Sequence, residues 1–198
     1  MKKPEYWNHN TAYARWLEKR LPAAGSVLDV GCGEGALLRF LDNGRRSLTG
    51  LDPDESCIRR ARETCSPERT ALLCARFEEL ETPQRYDAIL FVASLHHMDM
   101  APALEKAKAL LAPGGKLLVA GLFRPSNAWD WVLEGLRVLP CLLLSRLHRM
   151  QTSEENGVPV SYVLPPMREV RETAKRLLPG AKLRQGLYYR YLLEWRKS

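Results

Sequence analysis

Apolar and polar positions along residues 25–120 form blocks that predict strands and helices in turn. Short apolar runs with no regular polar interruption are typical of strands buried on both faces of a parallel sheet. These runs are Ser26–Val30, Ser47–Leu51, Ala71–Cys74, Asp87–Val92 and Lys116–Ala120. Helical patterns follow four of the five strands, among them Glu55 to Thr64 and Pro102 to Leu111. The alternation predicts an open, mostly parallel α/β sheet.

The two ends of the chain depart from this alternation. Residues 1–24 predict a cap helix that stops before Pro22, and residues 121–165 form a long, partly apolar segment that predicts a helical lid after the fifth strand. Residues 166–198 predict a helix and then two strands, Ala181–Gln185 and Leu187–Trp195, which makes seven strands in all. The two strands form either a tight antiparallel pair, as we expect, or one bent ribbon. We therefore expect one domain, with residues 25–120 as its ligand-binding core.

A glycine-rich turn follows the first predicted strand, in the stretch VLDVGCGEG at residues 27–35. Glycines at such a turn let the backbone bend sharply and approach a ligand closely. A dinucleotide fingerprint, G-x-G-x-x-G/A, fits Gly31, Gly33 and Ala36, and an S-adenosylmethionine turn, D-x-G-x-G-x-G, fits Asp29 and the glycines up to Gly35. Asp29 and the final strand pair favour the second interpretation.

Four segments together resemble the class I S-adenosylmethionine-dependent methyltransferases. They are VLDVGCGEG, LTGLDPDESCIRRAR, YDAILFVASLHHM and LLAPGGKLLV, and they cover about residues 25–120. The first 24 residues and the final YYRYLLEWRK resemble a small bacterial subgroup of that superfamily without an assigned function. The resemblance implies a Rossmann-like sheet, S-adenosylmethionine as cofactor and methyl transfer as the activity.

The same resemblance implies which residues hold the cofactor. It places Asp29 near the amino group, Asp52 on the ribose hydroxyls, Pro53 against the adenine, and Ser94 with Leu95 near the sulfonium. The full set of expected cofactor-binding residues is Asp29, Gly31, Cys32, Gly33, Gly35, Asp52, Pro53, Arg76, Phe77, Glu78, Ser94 and Leu95.

The expected adenine contact contains one departure from the family pattern. The resemblance places Phe77 beside the adenine ring and an acidic residue near position 76, which accepts a hydrogen bond from the adenine amino group. This chain has Arg76, which cannot accept a hydrogen bond. Glu78 or a backbone carbonyl is the expected substitute.

Histidines supply the candidates for a catalytic base. The sulfonium methyl is already electrophilic, so catalysis needs positioning and, for an oxygen nucleophile, a base. His96 and His97 follow the fourth strand, and His9 precedes the first helix. Histidine titrates in the useful pH range, and among the three we prefer His97 as the base. The alternative is that one histidine of the pair packs structurally and the other only shapes the pocket.

The composition is that of an ordinary globular protein, with 198 residues, 45% apolar residues and 27% charged residues. No signal segment or membrane-spanning run is apparent, so we expect a cytoplasmic protein. The five cysteines include no CxxC pair, and we expect neither a disulfide framework nor a metal site. The net charge of +7 arises in the second half, because residues 1–100 hold 14 basic and 15 acidic residues and residues 101–198 hold 16 and 8.

The leading hypothesis is a methyltransferase for a small, largely apolar molecule, bound between the lid and the N-terminal aromatic residues. The basic second half allows an anionic group on that molecule. One alternative is an RNA or protein methyltransferase that docks through the basic half, for which Arg168, Arg171, Lys175 and Arg176 on one predicted helix supply a patch. A second alternative is a cofactor-binding protein without turnover.

Overall fold

A computed structural model describes residues 11–126 and 164–198 of the chain and shows a seven-stranded sheet. The strands are β1 Gly25–Val30, β2 Arg46–Asp52, β3 Thr70–Cys74, β4 Tyr86–Val92, β5 Leu111–Leu122, β6 Lys182–Gln185 and β7 Arg190–Arg196. Their spatial order is β3-β2-β1-β4-β5-β7-β6. Strands β1 to β5 pair in parallel, and β7 runs antiparallel to both β5 and β6. The predicted sheet and its antiparallel C-terminal pair are confirmed.

Helices lie on both faces of this sheet. They are α1 Ala14–Glu18, α2 Ala36–Leu41, α3 Glu55–Thr64, α4 Met100–Leu110 and α5 Met167–Leu177, with 3-10 turns at Thr11–Tyr13, Phe77–Glu79 and Leu95–His97. Successive residues of a strand point to opposite faces. On β1, Val27 packs in a core that includes α1, α2 and α3, whereas Leu28 packs in a core that includes α4 and α5. The result is three layers, helix on sheet on helix.

Several boundaries differ from those the sequence predicts. Helix α4 begins at Met100, before Pro102, because the Asp99 side chain caps it by accepting from the Ala101 N–H. Strand β5 extends to Leu122, so the first two residues of the predicted lid still belong to the sheet. The remainder of the lid, from residue 127 to 163, lies outside the described residues, as do residues 1–10.

The first and last parts of the described chain are fastened to each other. The Tyr13 hydroxyl donates to the Leu187 carbonyl at 2.9 Å, and the Arg20 guanidinium pairs with Glu194 of β7, also at 2.9 Å. Lys116 of β5 donates to the Arg20 carbonyl at 2.7 Å. These contacts hold the N-terminal segment against the antiparallel edge of the sheet.

The turn between β6 and β7 has an unusual backbone. The sequence predicts a strand from Leu187, but Tyr188 and Tyr189 have φ values of 61° and 53°, and β7 begins only at Arg190. Left-handed backbone is disfavoured for residues with a Cβ atom, by about 1–2 kcal/mol each. Bonds from the Gly186 N–H to the Arg190 carbonyl and from the Phe123 N–H to the Tyr189 carbonyl hold the turn.

Candidate functional site

Three loops meet beyond the carboxyl ends of β1, β2 and β4, where ligands bind in open parallel sheets. The Gly31 N–H donates to the Leu51 carbonyl of β2 at 2.7 Å. The Ser94 hydroxyl, just past β4, donates to the Val30 carbonyl of β1. A Cβ atom at Gly31, where φ is 76°, would overlap the Ser94 side chain. Glycine is therefore required at this position for both space and backbone conformation.

The rest of the glycine turn combines one crowded position with one open position. Gly33 and Gly35 both have positive φ, at 52° and 75°. A Cβ atom at Gly35 would lie 2.6 Å from the Cys65 sulfur, whereas one at Gly33 would meet nothing within 4 Å. The backbone at Gly33 is thus open on one side, and a ligand can approach it closely.

Asp52, the last residue of β2, is held in a fixed orientation. Its Oδ2 accepts from the Gly33 N–H and its Oδ1 from the Asp54 N–H, each at 2.9 Å. A carboxylate has about four acceptor positions, so two remain for ligand hydroxyls. The half-buried position of Asp52 between the glycine turn and the β2–α3 loop suits a ligand that carries vicinal hydroxyls.

Asp29, in β1, is a buried carboxyl with an unfilled hydrogen-bonding position. Its side chain is 1% exposed, and no described residue donates to its Oδ1. Burial, and to a lesser degree the Asp52 carboxylate, raises the pKa of Asp29 to about 7. A buried acid of this kind is stabilised in its ionised form by a neighbouring cation. The position therefore fits the ammonium group of a ligand.

The adenine-side residues are arranged differently from the expectation in one respect. The ring of Phe77 is 2% exposed, packs edge-on against Phe91 at 5.4 Å and lies under the Lys106 ammonium. Because the ring belongs to the core, only the backbone of Phe77 is left to border a ligand. Arg76 and Glu78, on either side of it, are exposed.

The remaining predicted positions offer mainly backbone. The side chains of Cys32 and Leu95 pack in the two opposite cores, at 8% and 1% exposure, while Pro53 is exposed. Burial raises the pKa of the Cys32 thiol, so this sulfur stays protonated and unreactive. Ser94 is buried at the meeting point of the β1 and β4 loops.

The two adjacent histidines past β4 have different environments. His97 is exposed, whereas His96 is half-buried and its Nδ1 is buried with no hydrogen-bond partner among the described residues. Burial, then His97, then Arg190 lower the pKa of His96 to about 4. His96 is therefore neutral at physiological pH and can accept a proton. His9, the third candidate, lies outside the described residues.

Arg190 is a candidate site residue that the sequence reasoning missed. It begins β7 opposite Leu122, at the same edge of the sheet as His96, and it is only 5% exposed. The signal in the sequence was a charged residue within the aromatic run YYRYLLEW. Arginine is seldom fully buried, so an arginine in such an apolar strand indicates a specific role. Its position beside the β4 loop depends on a strand pairing that local patterns do not reveal.

A protein-family model described as "Methyltransferase domain" matches residues 27–115. An uncharacterized methyltransferase of Mycobacterium tuberculosis is 32% identical to this chain over 200 residues, which cover 96% of each protein. The chain belongs to the class I S-adenosylmethionine-dependent methyltransferases. The predicted family, enzyme class and cofactor are thereby confirmed.

Two further methyltransferases show how far the likeness extends. A ubiquinone biosynthesis O-methyltransferase of Coxiella burnetii is 30% identical over 144 residues, which cover 70% of this chain and 62% of the relative. The structure of magnesium protoporphyrin IX methyltransferase from Synechocystis with bound SAH has a TM-score of 0.60 at 18% identity, covering 94% of this methyltransferase and 80% of that chain. Of the helices described here, none has the length and apolar character needed to cross a membrane.

Proposed function

We propose that this methyltransferase transfers the methyl group of S-adenosylmethionine to an oxygen atom of a small, largely apolar molecule. The observation that carries the proposal is His96, a neutral histidine beside Ser94 whose Nδ1 is buried without a partner among the described residues. The similarity to a ubiquinone biosynthesis O-methyltransferase supports a small acceptor that is methylated on oxygen.

The cofactor residues we propose follow from the geometry of the glycine turn. The cofactor supplies a methyl group on an electrophilic sulfonium, and the chain supplies its position. Asp29, a buried carboxyl to whose Oδ1 no described residue donates, binds the ammonium group. Asp52, oriented by the Gly33 and Asp54 N–H groups, accepts from the ribose hydroxyls. The open backbone at Gly33 lies against the same part of the cofactor.

His96 acts as the general base in this proposal. An acceptor hydroxyl gives its proton to the imidazole as its oxygen bonds to the methyl carbon, and the electron pair of the broken C–S bond stays on sulfur. Because the pKa of His96 is lowered to about 4, the imidazole is unprotonated at neutral pH. We therefore expect kcat/KM for the acceptor to rise with pH through about 4 and then to level off.

The basic helix α5 gives less support to a macromolecular acceptor. Its four basic residues, Arg168, Arg171, Lys175 and Arg176, are exposed as predicted. Glu169 and Glu172 are interspersed among them, and Arg168 pairs with Glu172 at 2.8 Å. Interspersed acidic residues weaken the attraction of a helix for phosphates. A small acceptor fits the described surface better.

Labelled S-adenosylmethionine tests the proposal directly. The purified protein is incubated with a panel of phenols, with their amino analogues, with bulk RNA and with a protein extract, and labelled products are separated by size and chemistry. We expect transfer to members of the phenol panel. Label that enters only RNA or only protein, or only the amino analogues, would contradict the proposed acceptor class.

Paired histidine variants test the base. His96→Gln keeps the approximate size and polarity of the side chain but cannot take the proton, so we expect kcat to fall by about 100-fold or more. His97→Gln, at the exposed neighbour, is the matched control and should change kcat by no more than a few-fold. Equal losses in both variants, or no loss in His96→Gln with S-adenosylhomocysteine binding intact, would refute the assignment.

A further inference from the structure

Arg190 places a buried positive charge at the edge of the sheet where the proposed function puts the acceptor. Strand β4 ends with Val92 beside Ala120 of β5, and β5 continues to Leu122, which lies opposite Arg190. The 3-10 turn at Leu95–His97 follows β4 at this same edge. Arg190 and His96 therefore lie on elements that both contact β5, and Arg190 is close enough to His96 to lower the pKa of its imidazole.

The Arg190 guanidinium and the His96 imidazole are both largely removed from water, and they interact electrostatically. Burial lowers the pKa of Arg190 to about 10, while the hydroxyls of Tyr13 and Tyr191 act in the opposite direction. The Arg190 charge in turn contributes to the lowered pKa of His96, after burial and His97. A positive charge removed from water gains most from an anion that binds beside it.

The backbone next to Arg190 is held in a conformation that the sequence does not favour. Tyr188 and Tyr189, the two preceding residues, both have left-handed φ values. Strained backbone of this kind persists where the surrounding contacts fix it, and it is concentrated at ligand sites. The bonds from Gly186 to the Arg190 carbonyl and from Phe123 to the Tyr189 carbonyl fix it here. The start of β7, and with it the arginine, is held in a defined position.

We propose that Arg190, with His96 beside it, binds a carboxylate group of the methyl acceptor. The acceptor class is then a small, largely apolar carboxylic acid that also carries the hydroxyl to be methylated. A planar guanidinium matches a carboxylate with two parallel hydrogen bonds, and such charged pairs are the strong ones. This inference rests on the proposed function, since it concerns the same acceptor site.

Binding of the carboxylate would also improve the base. The negative charge offsets the effect of Arg190 on His96, so the pKa of His96 rises towards the range where a base works best. His97 is the other titratable group that lowers the pKa of His96. An acceptor that carries this carboxylate therefore raises the pKa of the imidazole that takes its proton.

Benzoate and benzamide form a matched pair of probes that differ in charge and hardly in shape. Each is titrated into the protein loaded with S-adenosylhomocysteine, and binding is followed by calorimetry and by the NMR signals of His96. We expect benzoate to bind at least about tenfold more tightly than benzamide, the ratio that a charged hydrogen bond supplies. We also expect benzoate, but not benzamide, to raise the titration midpoint of His96. Inorganic phosphate is titrated in parallel, and tighter binding of phosphate than of benzoate would overturn the assignment to a carboxylate.

Two arginine variants complete the test. Arg190→Met should reduce benzoate binding to the level of benzamide, and Arg190→Lys should keep part of the preference. Arg184→Met removes the same charge from an exposed position of β6 and should leave the preference unchanged. If Arg190→Met fails to fold, the His96 titration in the unsubstituted protein tests the carboxylate subsite instead. A midpoint that benzoate does not raise would then refute it.

The outcomes separate the two proposals. If S-adenosylhomocysteine binds but benzoate and benzamide bind alike, or neither binds at millimolar concentration, the carboxylate subsite is refuted and the methyltransferase function stands. If S-adenosylhomocysteine itself does not bind, both proposals fall.

Discussion

The buried carboxyl of Asp29 makes the stability of the cofactor-free protein depend on pH. The pKa of Asp29 is about 7 in the folded chain, against its ordinary value of 3.8. Between these values the folded protein holds a proton that the unfolded chain releases. Stability must therefore fall as pH rises through this window. The change that tests this is Asp29→Asn, which keeps the shape and removes the ionisation.

The size of the effect follows from the shift in pKa. A rise from 3.8 to about 7 is roughly three pH units, and each unit corresponds to about 1.4 kcal/mol. Since Asp29 is fully buried, solvent does not screen this contribution, and the free energy of unfolding should decline by at most about 4 kcal/mol between about pH 4 and pH 8. The amide that Asp29→Asn introduces has its own cost of burial, but that cost does not vary with pH.

Urea unfolding of the cofactor-free protein at a series of pH values measures this decline. We expect a clear decrease in the unfolding free energy of the unsubstituted protein, and a much flatter profile for Asp29→Asn. Asp87→Asn is the matched control, because the Asp87 carboxylate accepts hydrogen bonds from Ser26, and its removal should leave the decline in place. Parallel profiles for the unsubstituted protein and Asp29→Asn would refute the reasoning.

Cofactor binding gives an independent check on the same carboxyl. If the ammonium group of S-adenosylhomocysteine binds at Asp29, binding at about pH 6, below the pKa of this carboxyl, ionises it and releases a proton. The calorimetric enthalpy should then depend on the ionisation enthalpy of the buffer, and this dependence should disappear in Asp29→Asn. A buffer-independent enthalpy in the unsubstituted protein would place the ammonium group elsewhere.

Four other substitutions are predicted to act through contacts of the described residues. Asp52→Ala should weaken S-adenosylhomocysteine binding by about 1–3 kcal/mol in calorimetry, whereas Asp54→Ala, which only removes the cap of α3, should lower stability without a comparable loss of affinity. Gly121→Ala should lower the free energy of unfolding by about 1–3 kcal/mol, because its Cβ would overlap the buried ring of Tyr191. Tyr189→Asn should raise it by up to about 1 kcal/mol, since the exposed Tyr189 has left-handed backbone that Asn adopts more readily. A stability change of the opposite sign in chemical denaturation would contradict either of the last two expectations.

The parts of the fold that depend on neighbouring residues were predictable from the sequence. The strand before the glycine turn and the turn glycines follow from local spacing and backbone preference. The segment Leu111 to Gly115 shows where such reasoning ends. It has the composition of a turn, yet it belongs to β5, where a register shift opposite Tyr86 and Ala88 accommodates it. That register shift depends on how the two strands pair, and no feature of the local sequence indicates it.

The candidate site residues also fall into two groups, those that local sequence indicates and those that depend on contacts between distant parts of the chain. The sequence indicated Asp29 from its spacing to the glycine turn, and Asp52 from its place at the end of the second strand and from the resemblance. The sequence favoured His97 as the base, whereas the proposal uses His96, because the packing of the 3-10 turn half-buries the His96 imidazole. The proposed role of Arg190 depends on the pairing of β7 with β5, about seventy residues away along the chain. Contacts between residues far apart along the chain were therefore the ones that could not be predicted from the sequence.

The fastening of Tyr13 to Leu187 and of Arg20 to Glu194 has a consequence for biosynthesis. Each bond joins residues 174 positions apart, so neither bond can form until the ribosome has made the C-terminal residue that closes it. Strands β1 to β4 and the glycine turn are complete far earlier and can pair while the chain is still growing. Contacts between ends so far apart along the chain close slowly, because the loop between them must first be drawn together. A nascent chain halted before β7 would therefore carry an assembled cofactor turn, with α1 packed only on the core that it shares with α2 and β1.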